Sequence, residues 1–193
     1  MPFESLGFVP LGLVFRVLLL SVAVVAGIYD WRYRRIPNLL CLAGLVAGFT
    51  SHCGLGAMNG GWAGCVAGLM VAAKGFGLAA LIYFVLYLLR GMGAGDVKLM
   101  AALGCIAGPM NWFLLFLATA ILGGVVAACL SLAHGRFYST LLNVGQIVKE
   151  LSLLRAPFKN QPQIDLHHKA ALRAPHGTLI AVAALFLIVA RWL

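Results

Sequence analysis

"GMGAGDVKLM", residues 91–100, sets an aspartate and a lysine just behind a pair of spaced glycines, between two long apolar runs. A break of this kind closes one hydrophobic segment and opens the next. On either side the chain is too apolar for a soluble domain. Of its 193 residues, 63% are hydrophobic and 10% charged, and the mean hydropathy is +1.01. A soluble protein of this size carries about a quarter charged residues. These values select a polytopic membrane protein, in which each spanning helix needs about 20 mostly apolar residues.

The apolar runs divide into six expected spans, near residues 8–29, 38–53, 61–89, 96–108, 112–133 and 176–192, with a polar, basic loop over 135–175. The expected fold is an all-α membrane helical bundle forming a single domain over residues 1–193. The third run is longer than a straight span needs and contains Lys74, so a tilt or a break near "AAKGFG" is expected. The N-terminus, "MPFESLG", has no basic leader region and no clear small-residue cleavage site follows, so the first run is expected to be retained as a span.

Charge orients these spans. Arg32, Arg34, Arg35, Arg90, Lys98, Arg136, Lys149, Arg155, Lys159, Lys169 and Arg173 are 11 of the 14 basic residues, and a six-span alternation places them all on one side. The connections expected on the other side, 51–60 and 108–111, carry no Lys or Arg. The positive-inside rule makes the basic side cytoplasmic and puts the N-terminus outside. The net charge of +9 is then a consequence of topology and of attraction to anionic lipid. No basic-aromatic strand pattern or zinc-finger spacing points to nucleic acid.

Five cysteines (Cys41, Cys53, Cys65, Cys105 and Cys129) stand singly, with no C-x-x-C pair. They are expected to be small buried hydrophobes, without a zinc site or a disulfide framework. His167–His168 is too thin a signal for a metal site. Neither metal nor cofactor is expected. In the long loop, residues 137–155 space their apolar side chains as an amphipathic helix on the membrane surface would.

Acidic residues are scarce: Glu4, Asp30, Asp96, Glu150 and Asp165. Only Asp30 and Asp96 fall at the ends of spans, both on the cytoplasmic side, where the first span exits and the fourth begins. Each has an ordinary structural reading. Asp96 behind glycine suits a helix cap, and Asp30 could pair with Arg32 or Arg34. Two acids at one depth on different helices can also meet, and two close carboxylates share a proton and titrate as a coupled pair. Such a pair can activate water and polarise a carbonyl, the chemistry of aspartic proteolysis. Gly93 and Gly95 would let the backbone turn sharply and a substrate strand approach closely. Lys98 fits a positive-inside lysine and a residue supporting the site equally well.

The segment "YDWRYRRIPN" resembles the D-x-R-x-x-x-I-P-N stretch of type IV prepilin peptidases, and "GAGDVKLMAALG" resembles their G-x-G-D-x-K-L stretch. A third likeness is "APHGT", where the family has Pro-aromatic-Gly and this chain has Pro175, His176 and Gly177. The resemblance runs from about the first span to the last. It implies that Asp30 and Asp96 are the catalytic aspartates and that Pro37, Asn38, Gly93, Gly95, Lys98, Pro175 and Gly177 support the site.

It further implies a substrate, the prepilin, whose basic leader is cleaved after a glycine at the cytoplasmic face of the bacterial inner membrane. The extra cytoplasmic segment with paired cysteines, found in the larger methylating members, has no counterpart here. The chain is thus similar to the compact peptidases of Flp (tight-adherence) pili, and no N-methylation is expected. The expected partners are the prepilin and the lipid bilayer; the sequence does not specify an oligomeric state.

Three other readings remain open from the sequence. A presenilin-like intramembrane protease shares Tyr-Asp and G-x-G-D, but the Pro-Ala-Leu motif expected near its last helices is absent. A small proton-coupled carrier would place acids near mid-membrane and show internal repeats, and neither is visible. A non-catalytic component of a pilus machine would carry no requirement for the two aspartates.

Overall fold

The computed structural model describes residues 12–89, 91–135, 138, 142, 145 and 176–190. Pro175, Arg90, the amphipathic stretch 137–155 as a whole, and most of the expected 135–175 loop lie outside the described residues. Among the described residues the protein is all-helical. The helices are α1 (Leu13–Tyr33), α2 (Asn38–Leu88), α3 (Ala94–Ala133) and α4 (His176–Val189). Helices α1, α2 and α3 are each long and apolar enough to cross a membrane, and α4 is a shorter apolar helix.

Their outward faces are as hydrophobic as their inward ones. Leu13, Leu39, Met58, Trp62 and Val189 are exposed, while Leu19, Tyr83, Leu99, Leu103, Trp112 and Ile180 form the core. Helices apolar on all sides are those for which lipid replaces water as the solvent.

Helix α2 has 51 residues and would be roughly 75 Å long if straight, more than twice the ~30 Å hydrocarbon core. It is not straight. Gly60 and Gly61 leave helical geometry, and Gly61 takes φ +59°, a conformation open to glycine at little cost. The chain doubles back there. Gly64 lies against the Gly56 carbonyl, Gly68 lies against the His52 carbonyl, and Cys53 and Cys65 are joined by a disulfide.

Two expectations are corrected by this turn. Residues 51–59 are helical rather than an open loop, and their polar side chains find partners along the helix and across the bundle. Asn59 Nδ2 donates to the Leu55 carbonyl at 2.9 Å, and His52 Nε2 donates to the Ile106 carbonyl at 3.2 Å. The cysteines are also not all isolated. Spacing alone could not pair Cys53 with Cys65, since only the reversal at Gly60–Gly61 brings them together.

Helix α3 repeats the device. Gly108 (φ +74°, ψ 170°) and Pro109 interrupt it, so the connection expected over 108–111 is an abrupt break between two helical halves with no loop between them. Proline has no amide hydrogen, so the carbonyl four residues before it loses its helical donor. His52 supplies a donor beside this gap at Ile106, and its ring stacks on Phe15 at 4.2 Å. Beyond the kink the chain again reverses. Gly75 packs on Gly104 and Gly108, while Tyr83, two turns further along α2, meets Trp112 and Phe116.

Close approach of α2 and α3 depends on small residues, as helix contacts in membranes generally do. A methyl group on Gly75 would collide with the Gly104 carbonyl, and one on Gly104 would sit 2.7 Å from Ala79 Cβ.

Candidate active site

Helix α1 runs to Tyr33, four residues past its expected end, and Asp30 therefore lies in its last turn. Arg34 closes the helix in a left-handed conformation (φ +53°), with its amide donating to the Asp30 carbonyl at 3.0 Å. The Asp30 side chain is 8% exposed. Its Oδ2 accepts the backbone N–H of Gly177 at 2.7 Å, from the first turn of α4. Helices α1 and α4 pack closely at this level. Thr178 Oγ1 donates to the Gly27 carbonyl at 3.1 Å, and a Cβ on Gly27 would lie 2.8 Å from that of Ala181. Gly177 is equally restricted, since a methyl there would sit 2.9 Å from Asp30 Cβ and 3.1 Å from its Oδ2.

Asp96 enters from α3. Gly93 caps that helix, and Asp96 is the third residue after the cap. Its Oδ2 accepts the Gly93 amide at 3.2 Å. This is the carboxylate half of a capping box, and it also places an anion in the favourable first turn. The expectation that Asp96 is itself the helix cap is corrected, since Gly93 holds that position and Asp96, three residues on, binds its amide.

Gly93 itself is extended (φ −83°, ψ 152°), and a Cβ on Gly95 would meet Ile36 at an ordinary 3.5 Å. Neither glycine is required by backbone conformation. The sharp turn expected of them is corrected to a plain helix start, in which a Cβ on Gly93 would crowd Asp96 Oδ2 at 3.3 Å.

Asp30 and Asp96 come from different helices and lie close enough to interact electrostatically. Asp96 and Asp30 both also act on His176, the first residue of α4. Among the described residues no hydrogen bond engages the second oxygen of either carboxylate. Among the described residues each aspartate is thus anchored by one backbone amide.

The remaining expected residues cluster nearby. Pro37, with φ −64° and ψ 128°, precedes the first residue of α2, Asn38. Asn38 Oδ1 accepts a 3.0 Å hydrogen bond from Lys98 Nζ, which ties the start of α2 to the first turns of α3. Lys98 interacts with Cys41, as does Asp96, so the lysine lies near the acid without an ion pair to it. One residue that the sequence does not single out also belongs here, Tyr83, which meets His176. Tyr83 is 1% exposed, and its hydroxyl is 3.3 Å from His176 Nε2. Tyr83 sits within a long apolar run, and nothing local marks it. Among the described residues no group of three or more His, Cys, Asp or Glu side chains could hold a metal ion.

Beside Asp30, on the outer side of α1, Val24, Ile28 and Trp31 face Val182 and Leu185 of α4 across an apolar groove of about 260 Å³.

Comparison with curated proteins and with solved structures gives no match. The family model of type IV leader peptidases, by contrast, matches residues 17–128, more than half of the chain and a stretch holding both Asp30 and Asp96. The chain therefore belongs to the type IV leader peptidase family.

Proposed function

We propose that the protein is a membrane aspartyl endopeptidase that removes the leader of Flp-type prepilins, cleaving after a glycine at the cytoplasmic face of the bacterial inner membrane. The observation that supports this reading is that Asp30 and Asp96, from two separate helices, lie within electrostatic reach of each other where α1 ends and α3 begins. In the reaction the pair shares one proton. The ionised carboxylate takes a proton from water, and the resulting hydroxide attacks the scissile carbonyl. The protonated carboxyl hydrogen-bonds to that carbonyl oxygen as it gains charge. Collapse of the tetrahedral species breaks the C–N bond, and a proton passes to the departing amine.

The reversals at Gly60–Gly61 and Gly108–Pro109 support six membrane crossings within the single domain, two each from α2 and α3. With the basic residues inside, both aspartates then face the cytoplasm. The apolar groove along α1 beside Asp30 is a surface against which a hydrophobic helix can lie. This suits a substrate that is itself a membrane helix with its leader junction near the interface. Pro37, Asn38, Lys98 and Gly177 act in this reading as supports that hold the ends of α2, α3 and α4 around the aspartates.

Co-expression with a Flp-type prepilin, read by intact mass, tests the activity: loss of the leader is expected, with a cut after glycine. Trimmed pilin incubated with S-adenosylmethionine is expected to stay unmethylated, and a gain of one methyl group would contradict the compact, peptidase-only assignment.

A further inference from the structure

We propose that His176, held by Tyr83, is a third protonatable member of this site, a positioning residue whose imidazole governs the charge shared by Asp30 and Asp96. The proposal rests on the aspartate-pair reading above and adds a group to it.

The geometry is specific. His176 opens α4 directly before Gly177, whose amide binds Asp30. Its Nε2 lies 3.3 Å from the Tyr83 hydroxyl, and the two rings are tilted, with centroids 6.1 Å apart. Tyr83 is itself fixed, edge-on to Trp112 at 6.2 Å and to Phe116 at 5.9 Å. The imidazole is therefore oriented by a buried and immobilised partner. From the other helices, the ionisable groups that act on it are Asp30 of α1, Tyr83 of α2 and Asp96 of α3.

The hydroxyl partner matters because it can either donate or accept. With a neutral imidazole, Tyr83 donates its proton to Nε2. With an imidazolium, Nε2–H donates to the Tyr83 oxygen. His176 Nε2 therefore keeps Tyr83 as a hydrogen-bond partner whether the ring gains or loses a proton, which a fixed donor such as a backbone amide would not permit. Histidine is also the side chain whose ordinary titration falls between about pH 5 and 8. As a cation beside two carboxylates it favours ionisation of both. With a neutral ring the pair takes up its second proton at higher pH, and a doubly protonated pair has no carboxylate left to take a proton from water. The charge of one ring thereby controls how many protons the aspartates hold.

The test uses the full-length protein in detergent or lipid, with an intact Flp-type prepilin and cleavage rates measured from about pH 5 to 8. His176→Phe keeps a ring and removes both hydrogen bond and charge. His176→Gln keeps a polar partner for Tyr83 and removes the charge, and it decides the question if the phenylalanine variant does not fold. Both are expected to lose an ionisation from the profile, moving the acid limb to higher pH by about one unit. On that limb kcat falls about tenfold, with KM unchanged. Tyr83→Phe, which frees the ring, is expected to move the same limb part of the way.

Wild-type pH profiles in both His176 variants, with Asp30→Asn and Asp96→Asn inactive, would overturn this proposal and leave the aspartate pair standing. Full cleavage by the two Asn variants would instead overturn the pair, and the proposal with it.

Discussion

The backbone amide of Gly177 donates a 2.7 Å hydrogen bond to Oδ2 of Asp30, joining residues 147 positions apart and locking α4 to the end of α1. An added methyl at Gly177 would lie 2.9 Å from Asp30 Cβ, so it must displace either the carboxylate or the helix. A hydrogen bond to a charged group contributes about 1.5–3 kcal/mol, equivalent to about a 10- to 100-fold change in rate. Gly177→Ala is expected to lose cleavage in that range while remaining folded, as judged by gel filtration and thermal melting alongside the rate.

Lys98 and Asn38 form one unit through a 3.0 Å hydrogen bond at an exposed position. Exposed polar pairs contribute about 1 kcal/mol or less. Lys98→Ala and Asn38→Ala should therefore weaken the protein, or its activity, by similar small amounts. The double variant should be little worse than either single one, with a coupling of about 1 kcal/mol in a double-mutant cycle. Additive losses would mean that Lys98 acts elsewhere.

The disulfide between Cys53 and Cys65 closes a loop with a sequence separation of 12 across the α2 reversal. Closing a loop of that size stabilises the fold by about 3 kcal/mol in the chain-entropy view. Cys53→Ser, or treatment with reductant, is expected to lower the melting temperature and leave cleavage at moderate temperature intact. The pair lies at the Gly60–Gly61 turn, whereas the aspartates lie at the far ends of α1 and α3.

Gly75 packs directly against the Gly104 carbonyl, with no room for a side chain. Gly75→Ala forces α2 and α3 apart, and overpacking of this kind costs about 1–3 kcal/mol. A lower melting temperature in detergent is expected. The same change at Gly77, where a methyl would meet nothing, should be close to neutral and serves as the control.

What could be read in the sequence followed from scarcity and periodicity. An all-helical membrane chain was evident from uninterrupted apolar runs, because in lipid the backbone must satisfy its own hydrogen bonds. Asp30 and Asp96 stood out because so few acids were present to consider. The long-range pairings were not legible. Tyr83 with His176, Lys98 with Asn38, and Cys53 with Cys65 each arise only when the chain doubles back, and no local spacing encodes them.

Polar composition also misled over residues 51–60, where His52 and Asn59 find carbonyl partners and the helix continues to its glycine turn. Nor did the glycines before Asp96 behave as a strained turn. They start a helix in ordinary geometry, and the aspartate accepts the amide of the residue that caps it.

Whether Asp30 and Asp96 act as one catalytic pair is decided by prepilin cleavage with the purified protein and its Asp30→Asn and Asp96→Asn variants, read by mass spectrometry. Replacing either carboxylate with an isosteric amide keeps its shape and removes its ionisation. Wild type is expected to release the leader, while each single variant, still folded, falls by at least about a thousandfold, with the double variant no worse. Cleavage at wild-type rates in either single variant would contradict a catalytic pair.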